Sequence, residues 1–267
     1  MGAPTTSLEV VEKNVWLRRY VEVSGELSHR LVCFPHAGGS AGVYVPFAKR
    51  LARSGIEVHA VQYPGRQERR HEPFAETVGE LAAGVLPELR GLSEAPDGVP
   101  VSMFGHSMGA TVSYETARLL RDAGDAQPTH LFASGRRSPT VGRSETVHLL
   151  DDRALLDEVR KLQGTDSRVF DDEDLLRMVM PVLRGDYLVA GRYRHTEGPR
   201  LDRPLTALTG DTDPNVPIEE ARSWQDVTAG EFVLHVFPGG HFYLQDQMDE
   251  VCRTIVKTLG DGDGRAR

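Results

Sequence analysis

One serine of this chain stands in a pattern that is typical of an enzyme nucleophile. Ser107 is the central residue of positions 105–109, which read Gly-His-Ser-Met-Gly. The apolar run at 99–104 predicts a buried strand, and apolar residues recur at helical spacing from there to Leu120. Between a strand and a helix, Gly-x-Ser-x-Gly forms a sharp elbow that exposes the hydroxyl above the helix N-terminus. The pentapeptide also arises by chance, so a nucleophile needs a base, an acid and an oxyanion hole elsewhere in the chain.

A histidine is the usual base for a serine nucleophile, because it can take the hydroxyl proton and later return it. Among the ten histidines, His241 has the placement that this task requires. It follows the predicted last strand at 232–237 and lies in a glycine-rich turn, where an imidazole can reach Ser107. His36 and His106 flank other candidate site residues, and we interpret them as loop or packing histidines.

Two aspartates, Asp211 and Asp213, follow the predicted strand at 205–209 and are candidates for the orienting acid. Asp213 lies deeper in the loop and is followed by a proline, whereas Asp211 is better placed to hold the turn by bonding to the backbone. We favour Asp213 and keep Asp211 as the alternative. The carboxylate would accept the Nδ1–H of His241, fix its tautomer and stabilise the imidazolium.

A glycine-rich loop follows the predicted strand at 30–34 and reads His-Ala-Gly-Gly at 36–39. In hydrolases with a serine elbow, one oxyanion donor is a backbone N–H of such an early loop, and the other is the N–H after the serine. We therefore predict an oxyanion hole from the N–H groups of Ala37 and Met108. A phosphate-binding turn is the alternative, but the loop has no Walker lysine and no clean Gly-x-Gly-x-x-Gly.

These residues need an α/β scaffold with a mostly parallel sheet to bring them together. Strands are predicted at 16–20, 30–34, 56–61, 99–104, 129–134, 205–209 and 232–237. Helices are predicted between them at 43–54, 74–92, 110–120 and 219–226, and after them at 249–259. Alternating strands and helices give parallel strands joined by right-handed crossovers, with helices on both faces.

The alternation is interrupted at 136–200, a charged segment with three predicted helices. These are residues 151–162, a helix capped by Asp171 or Asp172 that runs to Met180, and a helix from Pro181 to Tyr193. Proline suits the first turn of a helix, so Pro181 is predicted to begin a new one. We predict a core of residues 1–135 and 201–267, with 136–200 as an inserted helical lid over an acyl pocket. Helices that only cover the sheet are the alternative.

Composition excludes several classes of protein. A chain of 267 residues with 39% hydrophobic and 26% charged residues can form one globular core. The net charge of −8 argues against nucleic acid or an anionic membrane as partner. Cys33 and Cys252 lack metal-ligand spacing and are predicted to be buried thiols in a reducing compartment. No signal peptide or membrane span is visible, so we predict a soluble cytoplasmic protein. We also predict that it has no metal and no cofactor.

With these residues in view, the chain resembles the type II thioesterases that accompany modular polyketide and nonribosomal peptide synthases. Five segments carry the likeness, in the order that the family has them: 34–39, 63–66, 104–110, 210–214 and 238–242. The resemblance implies the α/β-hydrolase fold with a helical lid. It also implies a Ser107–Asp213–His241 triad with oxyanion donors at Ala37 and Met108.

The resemblance further implies the substrate and the partners. The substrate would be a short or aberrant acyl group, held as a thioester on the phosphopantetheine arm of an acyl or peptidyl carrier domain. Phosphopantetheine then belongs to the substrate and is not a cofactor. The basic cluster at 66–71 is either a solvated surface or a docking patch for an acidic carrier.

Without the resemblance, the residues support a serine hydrolase that acts on an acyl ester or thioester. A general carboxylesterase or an acyl-CoA thioesterase is therefore the alternative among enzymes. From a different class, the alternative is a catalytically silent binding protein with a hydrolase fold, because a fold does not determine a function.

Overall fold

The structure is a computed structural model that describes residues 12–13, 15–143, 145–162 and 172–262. Within these residues one eight-stranded sheet has the order β1-β2-β4-β3-β5-β6-β7-β8. The strands are β1 (Glu12–Lys13), β2 (Leu17–Arg19), β3 (His29–Phe34), β4 (Ile56–Val61), β5 (Val101–His106), β6 (Leu131–Ser134), β7 (Leu205–Gly210) and β8 (Phe232–Phe237). β1 and β2 are antiparallel to their neighbours, and all other pairs are parallel. The predicted mostly parallel sheet is confirmed.

Helices cover both faces of this sheet. The α-helices of the described residues are α1 (Val45–Leu51), α2 (Val78–Ser93), α3 (Met108–Ala123), α4 (Asp152–Lys161), α5 (Glu173–Arg192), α6 (Ile218–Arg222), α7 (Tyr243–Asp246) and α8 (Met248–Gly262). One apolar core lies between the sheet and α2 and α3, and the other between the sheet and α1 and α8. The two cores are the reason why the central strands are apolar on both faces.

The central strand β3 shows how the sequence specifies this arrangement. All six of its residues are buried. Side chains alternate between the faces of a strand, so Val32 and Phe34 enter the core under α2 and α3 while Leu31 and Cys33 enter the other. Cys33 and Cys252 are both free and buried, and burial raises the pKa of each thiol. The prediction that the two cysteines are buried thiols is confirmed.

The predicted first strand is shorter than expected, and it is not the edge of the sheet. β2 comprises only Leu17–Arg19, and β1 pairs along its outer side, with Glu12 opposite Arg19 and Lys13 opposite Arg18. β1 is two residues long, and so short a strand leaves no periodic pattern to detect. The polar N-terminus at 1–14 is predicted from the sequence to be loosely held; its residues 12 and 13 instead form β1, and the others lie outside the described residues.

α5 is one continuous helix, so the prediction that Pro181 begins a new helix was wrong. Proline removes one backbone hydrogen bond, which normally breaks a helix. The carbonyl that loses its partner here is that of Arg177. Both Arg177 and Pro181 are exposed residues, so water can donate a hydrogen bond to that carbonyl. Asp172 caps the helix, with its side chain accepting the N–H groups of Asp174 and Leu175. Asp171, the alternative cap, lies outside the described residues.

Several other helix ends differ from prediction. α2 begins at Val78 instead of residue 74, because the Thr77 hydroxyl accepts the N–H of Glu80 at 3.1 Å and caps the helix there. The sequence predicts a disordered tail at 260–267, but α8 continues to Gly262, so residues 260–262 are helical. The remainder of that tail lies outside the described residues. No described helix is long and apolar enough to cross a membrane.

Helical insertions between β6 and β7 are present, as predicted. α4 and α5 pack on each other through a small apolar core formed by Leu155, Val159 and Leu183. Asp151 caps α4 by accepting the N–H of Ala154 at 2.8 Å. The exact domain limits, and a role of these helices as a lid, stay predictions.

Candidate active site

The serine of the elbow lies between β5 and α3 in a strained backbone conformation. Ser107 has φ 55° and ψ −120°, a region that residues with a side chain rarely adopt. The flanking glycines permit this turn, because a Cβ at Gly109 would overlap the Phe34 carbonyl and a Cβ at Gly105 would overlap the Gly109 carbonyl. The close approach forces α3 to begin at Met108, directly after the serine.

Three side chains that are distant in the sequence meet at this serine. Nε2 of His241 lies 3.0 Å from Oγ of Ser107, and Nδ1 of the same ring lies 2.8 Å from Oδ2 of Asp213. A carboxylate can only accept, so Nδ1 carries the proton and Nε2 is left to accept from the serine hydroxyl. This is the hydrogen-bonding pattern of a serine nucleophile with its base and orienting acid.

The structure distinguishes the two aspartates of the loop after β7. The Asp213 side chain is completely buried, and its second oxygen, Oδ1, accepts the N–H of Asn215 at 2.8 Å. Asp211 instead accepts the N–H of Gly239 at 2.9 Å and holds the neighbouring turn. Of these two aspartates, Asp213 therefore faces the His241 imidazole, and Asp211 holds the turn, as the sequence indicated.

A glycine-rich turn after β8 brings His241 back over the sheet. A Cβ at Gly210 would overlap the carbonyls of Gly239 and Gly240, and Gly239 itself has φ 125°. His241 is only 4% exposed, and Phe242 stands edge-on to its ring at 5.2 Å. The imidazole is therefore held by packing as well as by its two hydrogen bonds.

The predicted oxyanion donors lie beside the serine. Met108 is in the first turn of α3, where N–H groups have no acceptor within the helix. Ala37 lies in the loop after β3, and a Cβ at Gly109 would come within 2.7 Å of the Pro35 carbonyl, so this loop abuts the start of α3. Ala37, Met108, Ser107 and His241 all line one cavity.

This cavity is small, and one part of its wall is charged. Its volume is about 200 Å³, below the size of sites that hold drug-sized ligands. Leu162 and Tyr187 of the inserted segment line it, as an acyl pocket requires. Four charged residues also line it: Arg136, Arg137, Arg143 and Glu145. The inserted segment therefore lines the cavity with charged as well as apolar residues.

Glu145 neutralises part of this charged wall. Its carboxylate lies 2.7 Å from Arg136 and 2.5 Å from Arg137, and burial lowers the pKa of the Arg137 guanidinium. Arg143 pairs with Glu220 at 3.2 Å. These arginines also line a second cavity, of about 290 Å³. Sequence periodicity could not find the wall, because its residues belong to an irregular loop.

The two other histidines of the site are packing residues, as predicted. Burial lowers the pKa of His36 and holds the pKa of His106 well below its usual range. His106 Nδ1 lies 2.9 Å from the Ser134 hydroxyl, which is 2.7 Å from the Tyr243 hydroxyl. A lowered pKa favours the neutral imidazole, so burial reduces the positive charge that these two rings would place beside His241.

The basic cluster at 66–71 is only partly on the surface. Arg66 and Arg69 are 5% and 7% exposed, and they pair with Asp186 and Glu72. The whole cluster is therefore neither a solvated surface nor a docking patch, because these two arginines are buried and ion-paired. Asp186, a buried carboxylate on α5, was missed: a lone aspartate in a helix gives no signal in a sequence.

The described residues contain no group of three or more His, Cys, Asp or Glu side chains that could hold a metal ion. The expectation of a reaction without a cofactor stays a prediction.

Comparison with known proteins assigns the chain to a family. Residues 29–259 match the family model described as the thioesterase domain. The chain belongs to the thioesterase family. It is 44% identical over 259 residues to Thioesterase PikA5 of Streptomyces venezuelae, a match that covers 96% of this chain and 90% of that protein.

Solved structures of type II thioesterases have the same fold as this thioesterase. BorB, a type II thioesterase from the borrelidin biosynthetic cluster, has a TM-score of 0.84 at 46% identity, over 93% of this chain and 99% of that one. YbtT, a type II thioesterase from the yersiniabactin NRPS/PKS pathway, has a TM-score of 0.78 at 26% identity, over 91% and 98%. The predicted family and the α/β-hydrolase fold are confirmed.

Proposed function

We propose that this thioesterase hydrolyses acyl thioesters on the phosphopantetheine arm of acyl or peptidyl carrier domains, with Ser107, His241 and Asp213 as its catalytic triad. By removing short or aberrant acyl groups, it would release stalled carriers in polyketide or nonribosomal peptide biosynthesis. The observation that carries the triad is the continuous chain of two hydrogen bonds, 3.0 Å from Ser107 to His241 and 2.8 Å from His241 to Asp213.

In the first half of the reaction, Oγ of Ser107 attacks the thioester carbonyl while Nε2 of His241 takes the hydroxyl proton. The carbonyl oxygen becomes an oxyanion, which the N–H groups of Ala37 and Met108 stabilise. Asp213 stabilises the imidazolium that has formed. When the intermediate collapses, the carbon–sulfur bond breaks, and Nε2 returns the proton to the departing sulfur.

In the second half, water replaces the carrier thiol. Nε2 of His241 takes a proton from this water, the hydroxide attacks the acyl-serine carbonyl, and the same two N–H groups stabilise the second oxyanion. Collapse breaks the ester bond, and the imidazolium returns its proton to Oγ of Ser107. A free carboxylic acid and the original triad result, so atoms and protons balance.

Two observations support the carrier-linked substrate and the short acyl group. BorB is a type II thioesterase from the borrelidin biosynthetic cluster, and YbtT is one from the yersiniabactin NRPS/PKS biosynthetic pathway. The cavity at Ser107, about 200 Å³ with a partly charged wall, suits a short acyl chain better than a long one. Residues 136–200 would then act as a lid over a core of 1–135 and 201–267, with α4 and α5 as its cover.

Release of acid from several acyl-carrier proteins, by the native protein and by His241→Ala, tests this proposal. The native protein should release acid, and the variant should be slower by several orders of magnitude. Comparing kcat/KM for carrier-linked acyl, the matching acyl-CoA and a nitrophenyl ester separates the proposal from its alternatives. Preference for acyl-CoA or for the oxygen ester would contradict the carrier as substrate.

A fluorophosphonate probe separates an enzyme from a silent binding protein with this fold. The probe should label the native protein on Ser107 and leave Ser107→Ala unlabelled. An unlabelled native protein, in a sample that binds acyl carriers, would favour the silent binder.

A further inference from the structure

Asp186 is a buried carboxylate that lies outside the proposed triad. It belongs to the second half of α5 and is 3% exposed. Oδ1 accepts a hydrogen bond from Nη2 of Arg66 at 2.6 Å, and Oδ2 accepts one from Nη1 of Arg66 at 2.6 Å. Oδ2 also accepts the backbone N–H of Gly38 at 2.7 Å. This ion pair is therefore completed by the loop that follows β3.

Arg66 contacts the same loop from the other side. It is 5% exposed, and Nη1 donates to the Gly39 carbonyl at 3.0 Å in addition to Asp186. Its guanidinium lies 5.3 Å from the centre of the Tyr63 ring, whose hydroxyl donates to the Pro35 carbonyl at 3.4 Å. The segment 63–66 therefore supports the loop at both of its ends.

Together these contacts fix the peptide group between Ala37 and Gly38. Its N–H donates to Asp186, and its carbonyl, that of Ala37, accepts from Nδ1 of His36 at 2.9 Å. With both sides of this peptide held, the backbone of Ala37 has little freedom to rotate. The N–H of Ala37, one residue back, is the proposed oxyanion donor.

Packing adds to the hydrogen bonds. Gly38 has φ 80°, and a Cβ at that position would come within 2.6 Å of Leu183 Cδ2 on α5. Gly185, two residues further along the helix, lies against Phe74, where a Cβ would come within 3.1 Å of the ring. The half of α5 after Pro181 is therefore in van der Waals contact with the oxyanion loop and its support.

We infer that Asp186 and Arg66 are positioning residues that hold the oxyanion loop in its active geometry from α5. The second half of α5 is then a fixed wall of the site. The inference rests on the proposed function, because it assigns the positioned N–H of Ala37 to the oxyanion.

The test replaces the whole ion pair, so that neither charge stays buried alone. Exchanging a buried pair for apolar residues of similar size often leaves stability unchanged, so Arg66→Met/Asp186→Leu is expected to fold. It removes the acceptor of the Gly38 N–H. The matched control is Arg30→Met/Asp97→Leu, which removes the ion pair that Arg30 forms from the opposite end of β3.

Two readouts are measured on both double variants. The first is amide hydrogen exchange of Gly38 by NMR, which does not depend on catalysis. The second is kcat and KM for a small acyl thioester, such as an N-acetylcysteamine thioester. Loss of a whole oxyanion donor lowers kcat by about 100-fold to 1000-fold, so its displacement should lower kcat at least tenfold, with KM within about threefold.

The expected result is faster Gly38 exchange with lower kcat in Arg66→Met/Asp186→Leu, and neither change in the control. Unchanged Gly38 exchange overturns the tether, whatever the activity. Faster Gly38 exchange with unchanged kcat overturns the positioning role. An equal loss of kcat in the control variant also overturns the positioning role, because the loss is then due to general destabilisation. If Ser107→Ala is as active as the native protein, the proposed function fails instead, and Gly38 exchange alone decides the tether.

Discussion

Asp213→Asn tests the orienting acid with almost no change of shape. The Asn215 N–H donates to Oδ1 of Asp213, and His241 Nδ1 donates to Oδ2. In the variant, the amide oxygen must take the Oδ1 position, because only an oxygen can accept the Asn215 N–H. The amide NH₂ group then faces His241, which forces the imidazole proton onto Nε2. A protonated Nε2 cannot take the proton of Ser107.

The expected loss of kcat is large because the substitution changes the imidazole tautomer in nearly every enzyme molecule. In serine triads, an aspartate-to-asparagine change of this kind lowers kcat by about 10⁴-fold. Since each factor of ten corresponds to about 1.4 kcal/mol, the transition state should lose about 5 kcal/mol of stabilisation. KM should change little, because Asp213 lies behind the imidazole and is completely buried.

The assay is thioester hydrolysis, followed by reaction of the released thiol with a chromogenic disulfide. Asp211→Asn is the matched control, because Asp211 comes from the same loop and accepts only the Gly239 N–H. We expect its kcat within a few-fold of the native value. A kcat for Asp213→Asn within tenfold of native, or an equal loss in Asp211→Asn, would refute the assignment of the acid.

Three further predictions concern the elbow, the pH dependence of stability and the acyl chain. Gly109→Ala should destabilise the protein by about 1–3 kcal/mol and abolish activity, because its Cβ would overlap the Phe34 carbonyl. The control is Gly91→Ala in α2, which has open space around it and should stabilise the protein by about 0.5–1 kcal/mol. Urea unfolding compares the two variants, and equal effects on stability would contradict the close approach of Gly109 to the Phe34 carbonyl. Burial lowers the pKa of His130 to about 4, so between that value and 6.5 the unfolded state binds more protons. On account of this residue, the free energy of unfolding should therefore fall by about 2 kcal/mol from pH 7 to pH 5. His130→Gln should remove this part of the fall, and a variant with the same pH dependence of stability as the native protein would contradict the prediction. Finally, kcat/KM for acetyl or propionyl thioesters should exceed that for dodecanoyl thioesters by at least about tenfold, and equal values would contradict a small acyl cavity.

The features that could be predicted from the sequence are those with a local cause. The elbow at Ser107 is visible because two glycines, a strand and a helix are adjacent in the chain. His241 could be selected because it directly follows a strand, and parallel strands end at the same edge of a sheet. Asp213 could be favoured but not fixed, because the choice against Asp211 depends on how the turn after β8 packs on the turn after β7.

The features that the sequence hides depend on burial. Pro181 is tolerated within α5 because it and Arg177, whose carbonyl it leaves without a partner, are exposed residues, and sequence spacing carries no information on exposure. Asp186 and Arg66 are 120 positions apart, and each resembles an ordinary surface charge until the fold buries the pair. The charged wall around Glu145 is likewise formed by tertiary contacts of an irregular loop.

The central claim is that Ser107 forms a covalent acyl intermediate with an acyl group taken from a carrier thioester. Rapid quenching of the enzyme with an acyl-carrier protein, followed by intact-protein and peptide mass spectrometry, measures this directly. The account predicts a transient mass gain of one acyl group on the peptide that contains Ser107, and neither adduct nor acid release in Ser107→Ala. Acid release by Ser107→Ala at the native rate, or an adduct on another residue, would contradict it.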